Sequence, residues 1–295
     1  MINIAVLLTC HNRKQKTLNC LKLLFMQRGL GHEYSIQVYL VDDGSTDGTG
    51  LAVKEEYPIV KVIMGNGNLF WNRGMHTAWA NAAEQNQNID YYLWLNDDTE
   101  IYENAILSLL SAANLTSGQS IICGCIESPS KKGKLTYGGG NMHGNKRIMN
   151  YPADGILACD IIHGNCVLIP KVVYNKVGNL DWKFTHAIGD HDYSLRAKKV
   201  GVLSYTTSEF VAACEYNEGS PKWRQPKVKF IDRIKNLYSP LSYSPPNEFF
   251  IYEKRHFGLL TALKHFLSIH LRLIIPGILN NKQVSINKIL TEANQ

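Results

Sequence analysis

The stretch Tyr91-Tyr92-Leu93-Trp94-Leu95-Asn96-Asp97-Asp98-Thr99 constrains the fold of this chain most. Five apolar residues run straight into two adjacent carboxylates. A continuous apolar run of that length, closed by polar residues, reads as a strand buried on both faces. In an open α/β sheet, ligands bind outside the carboxyl ends of such strands. Two carboxylates side by side repel each other unless a cation or a proton joins them. The functional reading is a divalent-metal site for a phosphorylated substrate. The structural alternative is an acidic turn in which Asp98 or Thr99 caps a helix over 102–112.

The preceding residues weigh towards a site. Residues 4–9 read as a first buried strand, and 14–27 as a helix with Leu18, Leu21, Leu24 and Phe25 on one face. A second strand at 36–41 ends in Asp42-Asp43-Gly44-Ser45-Thr46-Asp47-Gly48-Thr49, a turn-rich loop. A short helix at 51–57, a strand at 60–64, a Gly/Asn loop at 65–68 and a helix at 73–85 lead to the strand at 91–95. This alternation predicts a mostly parallel sheet with helices on both faces. Parallel strands share their carboxyl ends. Thr9 and His11, Asp42 and Asp43, and Asp97 and Asp98 therefore collect on one edge, which three unrelated solvated turns would not explain.

Absent motifs narrow the classes. No GxGxxG opens the first helix, no GxxxxGK[ST] is present, and no GxSxG marks a hydrolase nucleophile. Further strands are expected at 119–126, 164–170 and 202–206, with a mobile loop or hairpin at 133–145. A helix at 193–199 ends at Gly201. Asp192 is its better-placed N-cap, which leaves Asp190 free for chemistry.

The seven cysteines are odd in number and show no CxxC spacing. They read as reduced, mostly buried thiols of a cytosolic protein, with Cys123 and Cys125 on one strand face. The N-terminus enters a strand at once with no signal-peptide pattern, and no long apolar run suggests a membrane span. The formal charge of +6 is concentrated in residues 221–275, where ten Lys/Arg face three acids. Within it, 254–275 alternates basic and apolar residues as a basic amphipathic helix would. Such a helix lies on an anionic membrane surface or packs on the core. Its aromatics form an apolar stripe instead of interleaving with basic groups, so nucleic acid is not an expected partner.

Five of these stretches, in order, resemble the motifs of family 2 glycosyltransferases with the GT-A fold. Val6-Leu7-Leu8-Thr9-Cys10-His11-Asn12-Arg13 is similar to the opening strand and turn. Val41-Asp42-Asp43-Gly44-Ser45-Thr46-Asp47-Gly48-Thr49 is close to the family's most recognisable stretch. Asn96-Asp97-Asp98 stands where the family has its metal-binding DXD. Residues 164–181 resemble the acceptor-side segment, and Ile188-Gly189-Asp190 stands where the catalytic carboxylate lies. The resemblance covers residues 3–220. It implies a Rossmann-like GT-A catalytic domain over 1–220, with a nucleotide-sugar half at 1–100 and an acceptor half at 101–220. A basic helical extension over 221–295 follows.

The resemblance also implies roles. Thr9 and Asp43 contact base and ribose, Asp43 accepting from a pyrimidine N3–H, and His11, Asn12, Asp42 and Arg73 complete the nucleotide site. Asp98 holds Mg2+ or Mn2+ against the diphosphate, and Asp97 binds ribose or helps hold the metal. Asp190 is the general base. Trp71, Asn96, Gly164 and His191 are donor or acceptor contacts, with stacking by Phe70 and Trp71 or a hydrophobic staple as alternatives. Two departures stand out. Asn96 replaces the first acid of DXD, and no His lies between His191 and His256 where relatives carry a metal ligand. Glu215 stands near that place: either it replaces that ligand with a carboxylate oxygen, or the metal is held by Asp98 and phosphate alone.

The implied activity is inverting transfer of a sugar from a UDP- or dTDP-linked donor to a glycan or lipid-linked acceptor. The setting is bacterial surface polysaccharide, such as capsule or O-antigen, as in rhamnosyltransferase-like enzymes. The implied location is the cytoplasm, with the tail on the inner face of the plasma membrane. The alternative is a sugar-nucleotide-binding protein that has lost catalysis.

Overall fold

The computed structural model describes residues 1–85, 88–143, 146–216, 221–242 and 244–276. The chain divides into two compact units, Met1–Asn217 and Glu218–Gln295. The boundary expected at 220 and the end of the expected extension, residues 277–295, lie outside the described residues.

The first unit opens with β1 (Ile2–Cys10), α1 (Lys14–Phe25), β2 (Tyr34–Asp42), α2 (Thr49–Glu56), β3 (Lys61–Met64), α3 (Phe70–Gln85) and β4 (Tyr91–Leu95). It continues with β5 (Glu100–Ile101), α4 (Ala105–Leu115), β6 (Ile121–Glu127), β7 (Leu135–Tyr137), β8 (Gly139–His143), β9 (Lys146–Met149) and β10 (Leu157–Cys159). Then come β11 (Ile161–Ile162), β12 (Cys166–Pro170), α5 (Lys171–Val177), α6 (Gly189–Lys199) and β13 (Ser204–Ala213).

The main sheet runs β10-β13-β6-β12-β4-β1-β2-β3. β1 pairs in parallel with β2 and β4, and β2 with β3, as the alternation predicts. Residues along β1 point alternately to the two faces. Ile4, Val6, Leu8 and Cys10 join one core with α1 and α4, while Ala5 and Leu7 join another with α3. Burial on both sides explains the unbroken apolar run at 4–8 of β1 and along β4. β12 runs antiparallel between β4 and β6, with Cys166 opposite Leu95. This reversal matters for function. It puts the residues just before β12 beside the carboxyl end of β4, where Asn96 N–H donates to the Asn165 carbonyl at 2.9 Å.

Several sequence expectations are corrected. The helix after β4 starts at Ala105, its N-cap is Asn104, and β5 intervenes and pairs with β13. Asp98 and Thr99 therefore cap nothing. α6 starts four residues before the expected 193, so Asp190 lies in its first turn. Asp192 is not a cap: it is buried and pairs with Arg196 at 2.8 Å, one helical turn on. The glycine-rich stretch at 133–145 contributes β7 and the β8–β9 hairpin; Gly144 and Asn145 lie outside the described residues. β13 runs on to Ala213 through register shifts that interrupt its period-two pattern. All seven cysteines are free and buried.

The second unit contains α7 (Phe230–Leu237), α8 (Pro246–Phe257) and α9 (Leu259–Ile274). Trp223, Leu237, Ile269 and Leu273 form its small core. The single helix expected over 254–275 is two helices, because Gly258 takes a φ of 91° that interrupts the α conformation. A Glu253–His265 contact of 2.6 Å joins α8 to α9. Among the described residues, no helix is long and apolar enough to cross a membrane.

The core on the α3 side is dominated by aromatic rings. Trp79 is fully buried and lies 5.0–5.4 Å, centroid to centroid, from Tyr92, Trp94, Tyr174 and Tyr193. The Tyr193 hydroxyl is buried and has no hydrogen-bond partner among the described residues. Removing the Trp79 ring leaves a cavity, whereas removing that hydroxyl relieves an unsatisfied group. Urea denaturation of Trp79→Ala is expected to show a loss of about 3–5 kcal/mol. Tyr193→Phe is expected to be neutral or mildly stabilising. Equal losses in the two variants would refute this account of the core.

Candidate active site

The carboxyl ends of β1, β2 and β4 form the centre of the site. At the end of β4, Asp97 is buried and Asp98 is partly exposed. A single guanidinium nitrogen, Arg13 Nη1, donates to Asp97 Oδ1 at 3.1 Å and to Asp98 Oδ2 at 2.8 Å. Thr17, one turn into α1, donates to Asp97 Oδ2 at 3.3 Å, and Lys16 Nζ lies 4.0 Å from Asp98. Burial pushes the Asp97 carboxyl up to about 6; Arg13 works against this shift and Asp98 adds to it. The adjacent carboxylates thus have the cation that their mutual repulsion demands. Sequence alone assigns no role to Arg13, although it stands within the opening motif. Its place just past β1, on the same edge as Asp97, was the available signal.

The ends of β1 and β2 are clipped together. The Asn12 side-chain carbonyl accepts from the backbone N–H of Thr46 and Asp47, and Asn12 N–H donates to Ser45 Oγ. His11 Nδ1–H donates to the Asp43 carbonyl at 2.6 Å, while its Nε2 accepts from Asn12. Asp42 is turned inward, accepting from Ser45 N–H. The Asp43 carboxylate accepts from the N–H groups of Gly67, Leu69 and Phe70 at 2.8–2.9 Å. It therefore shapes the loop that leads into α3. Thr9 lies under Gly74 of α3. Asn12, Phe70 and Ile188 all have positive φ, and each sits in a loop or helix start bordering this edge. Such strained backbone persists only where surrounding bonds hold it.

A chain of contacts joins the Asp97–Asp98 turn to Asp190. The Asn96 side-chain carbonyl accepts from Trp71 Nε1–H at 2.7 Å. The Trp71 indole packs against Gly164, where a Cβ would come within 2.3 Å of the ring. Gly164 N–H donates to Asp190 Oδ2 at 3.0 Å, and Asp190 Oδ1 accepts from His191 N–H at 2.8 Å. Trp71, Asn96, Gly164, Asp190 and His191 are thus one connected assembly. Asn72 and His186, unassigned from sequence, brace it. Asn72 Nδ2 donates to the carbonyls of Asp181 and Phe184, and His186 Nδ1 accepts from Trp71 N–H. Arg73 leans outward, stacking on Trp182 and donating to its carbonyl.

Glu215 stands apart from the carboxylate pair in its bonding. Its side chain accepts from Ser128 Oγ and Ser130 N–H at 3.2 Å each, and the Ser130 contact leads in holding it below the usual carboxylate range. Among the described residues, no group of three or more His, Cys, Asp or Glu side chains could cage a metal ion. The donor set still suits a hard divalent cation, which needs only one or two carboxylates when substrate phosphates supply the rest. The Arg13 guanidinium between Asp97 and Asp98 is the observation that this turn is built to carry positive charge.

A further histidine, His163, adjoins His191. The His163 ring lies 5.6 Å from that of His191, and its Nδ1 accepts from Gly138 N–H. Burial drives both imidazoles well below their ordinary value, His191 to about 3. His191 Nε2 accepts from Arg147 Nη1 at 3.1 Å. His163 and Arg147 come from the glycine-rich middle of the chain, which has no periodicity to announce them.

Known proteins provide an independent comparison. The family model of Glycosyl transferase family 2 matches residues 5–177. An N-acetylglucosaminyl-diphospho-decaprenol L-rhamnosyltransferase of Mycobacterium tuberculosis is 24% identical over 199 residues, 59% of this chain and 65% of that protein. An uncharacterized glycosyltransferase of Rickettsia typhi is 27% identical over 173 residues, 58% of this chain and 51% of that protein. The chain thus matches between half and two thirds of the length of these curated relatives. Among solved structures, S. aureus TarS in complex with UDP-GlcNAc superposes with a TM-score of 0.55 at 13% identity, covering 91% of this chain and 81% of that one. A Pyrobaculum calidifontis mannosyltransferase with GDP-Man and Mn2+ gives 0.52 at 15% identity, covering 98% and 79%. At such identities these structures establish a shared GT-A fold.

The half-buried histidines His163 and His191 make stability depend on pH. Their folded pKa values lie below the unfolded value of 6.5, so their contribution is intact above 6.5 and is lost as pH falls towards about 3. The melting temperature is expected to fall more steeply between pH 6.5 and 4 in the wild type than in His163→Gln. Parallel curves would show that the imidazole does not titrate in this way.

Proposed function

The chain belongs to glycosyl transferase family 2, and on that premise we propose that it is an inverting, metal-dependent glycosyltransferase. The donor is a UDP- or dTDP-linked sugar, and the acceptor a glycan or lipid-linked sugar of a bacterial surface polysaccharide such as capsule or O-antigen. One observation carries this reading: the contact chain Asn96–Trp71–Gly164–Asp190 ties a carboxylate pair bridged by Arg13 to a third carboxylate across the same sheet edge. Sugar transfer needs that division of labour, with charge handled at the leaving diphosphate and a base at the attacking hydroxyl. The name of the mycobacterial relative, with a diphospho-linked lipid as acceptor, supports the choice of acceptor class.

The residues take these roles. Thr9, His11, Asn12, Asp42, Asp43 and Arg73 build the nucleotide pocket, with Asp43 and Asn12 acting largely by fixing its loops. Asp98, and Asp97 behind it, would hold Mg2+ or Mn2+. When bound there, such a cation neutralises charge developing on the leaving diphosphate. Arg13 balances the carboxylates and sits where it can follow that charge. Glu215 enters the metal site only by giving up its bonds to Ser128 and Ser130. Asp190, held by two backbone N–H groups, accepts the proton of the acceptor hydroxyl. A single base with in-line attack gives inversion at the anomeric carbon.

The second unit supports a peripheral membrane location. Leu260, Leu263, Leu267, Leu271 and Ile274 recur at helical spacing along α9 and are all exposed; Leu260 is 83% and Leu267 67% exposed. Lys254 and Lys264 are exposed on the same helix pair. An apolar stripe bordered by lysines matches an anionic lipid surface, where side chains insert between headgroups and the charges stay in water.

Calorimetric titration with UDP, dTDP and GDP, with and without Mn2+, tests the donor reading. Tight Mn2+-dependent binding of one diphosphate is expected, and its loss in Asp98→Ala. Asp190→Asn is expected to keep that binding while turnover falls by roughly 10²–10⁴-fold. Binding that ignores Mn2+, or unchanged turnover in Asp190→Asn, would remove the metal or the base from the mechanism. In a separate test, wild-type protein is expected to sediment with phosphatidylglycerol vesicles at low salt. The Leu260→Glu/Leu267→Glu variant should stay in the supernatant, and equal sedimentation of the two would end the membrane reading.

A further inference from the structure

Arg147 is exposed and lies in β9, yet its guanidinium reaches the residue next to Asp190. Nη1 donates to His191 Nε2 at 3.1 Å. The hairpin that carries it is fastened to α6 at a second point. Asp160, between β10 and β11, accepts from Met142 N–H of β8 at 3.1 Å and pairs with Lys198 of α6. Arg147 is thus held over the start of α6. The imidazoles beneath it are neutral in the folded protein, and among the described residues no carboxylate forms an ion pair with it. One nitrogen is engaged by His191, which leaves most of a charged fork of N–H donors facing outward.

A row of rings leads to the same point from the surface. Tyr216, about half exposed, lies 5.6 Å from Tyr137; Tyr137 lies 5.5 Å from His163, and His163 lies 5.6 Å from His191. Apolar ring faces with a few placed polar groups are the usual lining of a small-molecule site. A guanidinium fork is the side chain best matched to the oxygens of a phosphate.

We propose that Arg147 and this row of rings form an acceptor subsite in which Arg147 binds a phosphate group carried by the acceptor, beside the sugar whose hydroxyl Asp190 deprotonates. The inference rests on the glycosyltransferase reading and extends it to the chemistry of the acceptor. The phosphate belongs either to a lipid diphosphate or to a phosphorylated sugar. Both present the same oxygens to the fork.

Three probes share one sugar and differ in charge: farnesyl-diphospho-N-acetylglucosamine, N-acetylglucosamine 1-phosphate and octyl N-acetylglucosaminide. Calorimetric titration of the full chain with each is compared for wild type, Arg147→Ala and Arg147→Lys. Arg147→Ala is expected to weaken binding of phosphorylated probes about tenfold or more, while the neutral glycoside is unaffected. Arg147→Lys, which keeps the charge but loses the fork, is expected to fall between. A loss confined to the farnesyl probe assigns the phosphate to a lipid diphosphate; a loss shared with the sugar phosphate assigns it to any sugar-linked phosphate. Equal weakening of the neutral probe would make Arg147 a structural support and overturn the proposal. So would wild-type protein that takes neither phosphorylated probe. Titration of the same variants with UDP and dTDP keeps the two readings apart. If Arg147→Ala weakens nucleotide binding and spares the acceptor probes, the guanidinium serves the donor and the proposal fails, with the donor reading intact.

Discussion

Two carboxylates placed side by side at the end of a buried strand demand a positive charge. The arrangement around β4 answers that demand. Asp97 is buried and Asp98 faces outward, and Arg13 places one nitrogen between them from the start of α1. The parallel register of β1 against β4 brings these elements to one edge. Without the guanidinium, desolvation and mutual repulsion would both drive Asp97 towards its protonated form. Charge balance here is thus a folding requirement and a functional resource at once.

The strand that breaks the parallel pattern is as important as those that make it. β12 enters antiparallel beside β4, so the segment before it arrives at the carboxyl edge. Gly164 then meets the Trp71 indole on one side and Asp190 on the other. A side chain at that position would push the tryptophan off Asn96. Asp190 and the carboxylate pair are therefore spaced by packing and by short hydrogen bonds between neighbours in space. Loop shape around them is set in the same way. The Asp43 carboxylate gathers three backbone N–H groups, and the Asn12 side chain holds the turn after β2.

Much of this was legible in the chain itself. Buried parallel strands carry long apolar runs, as at 4–8 of β1, 38–41 of β2 and 91–95 of β4, and their carboxyl ends carry the acidic and polar clusters that mark the edge. The order of motifs resembled the glycosyltransferase family to which the chain belongs. Helix starts were less legible. α6 begins at Gly189 because Ile188 adopts a left-handed conformation and Asp192 is drawn inward by Arg196, neither of which spacing reveals. The tail read as one amphipathic helix because apolar periodicity passes through Gly258 without a break, although the backbone does not.

What the sequence determined alone is local and periodic: which segments are strands buried on both faces, where they end, and which acidic residues wait there. The tertiary structure decided who meets whom. That Arg13 joins Asp97 to Asp98, that Trp71 reaches Asn96, and that Arg147 crosses to His191 depends on contacts between residues 25 to 85 positions apart. Hydrophobic periodicity records only whether a residue faces the core or water. Partnership between polar groups depends on the direction in which each strand runs and on the space left between side chains, and both are set only when the sheet is assembled.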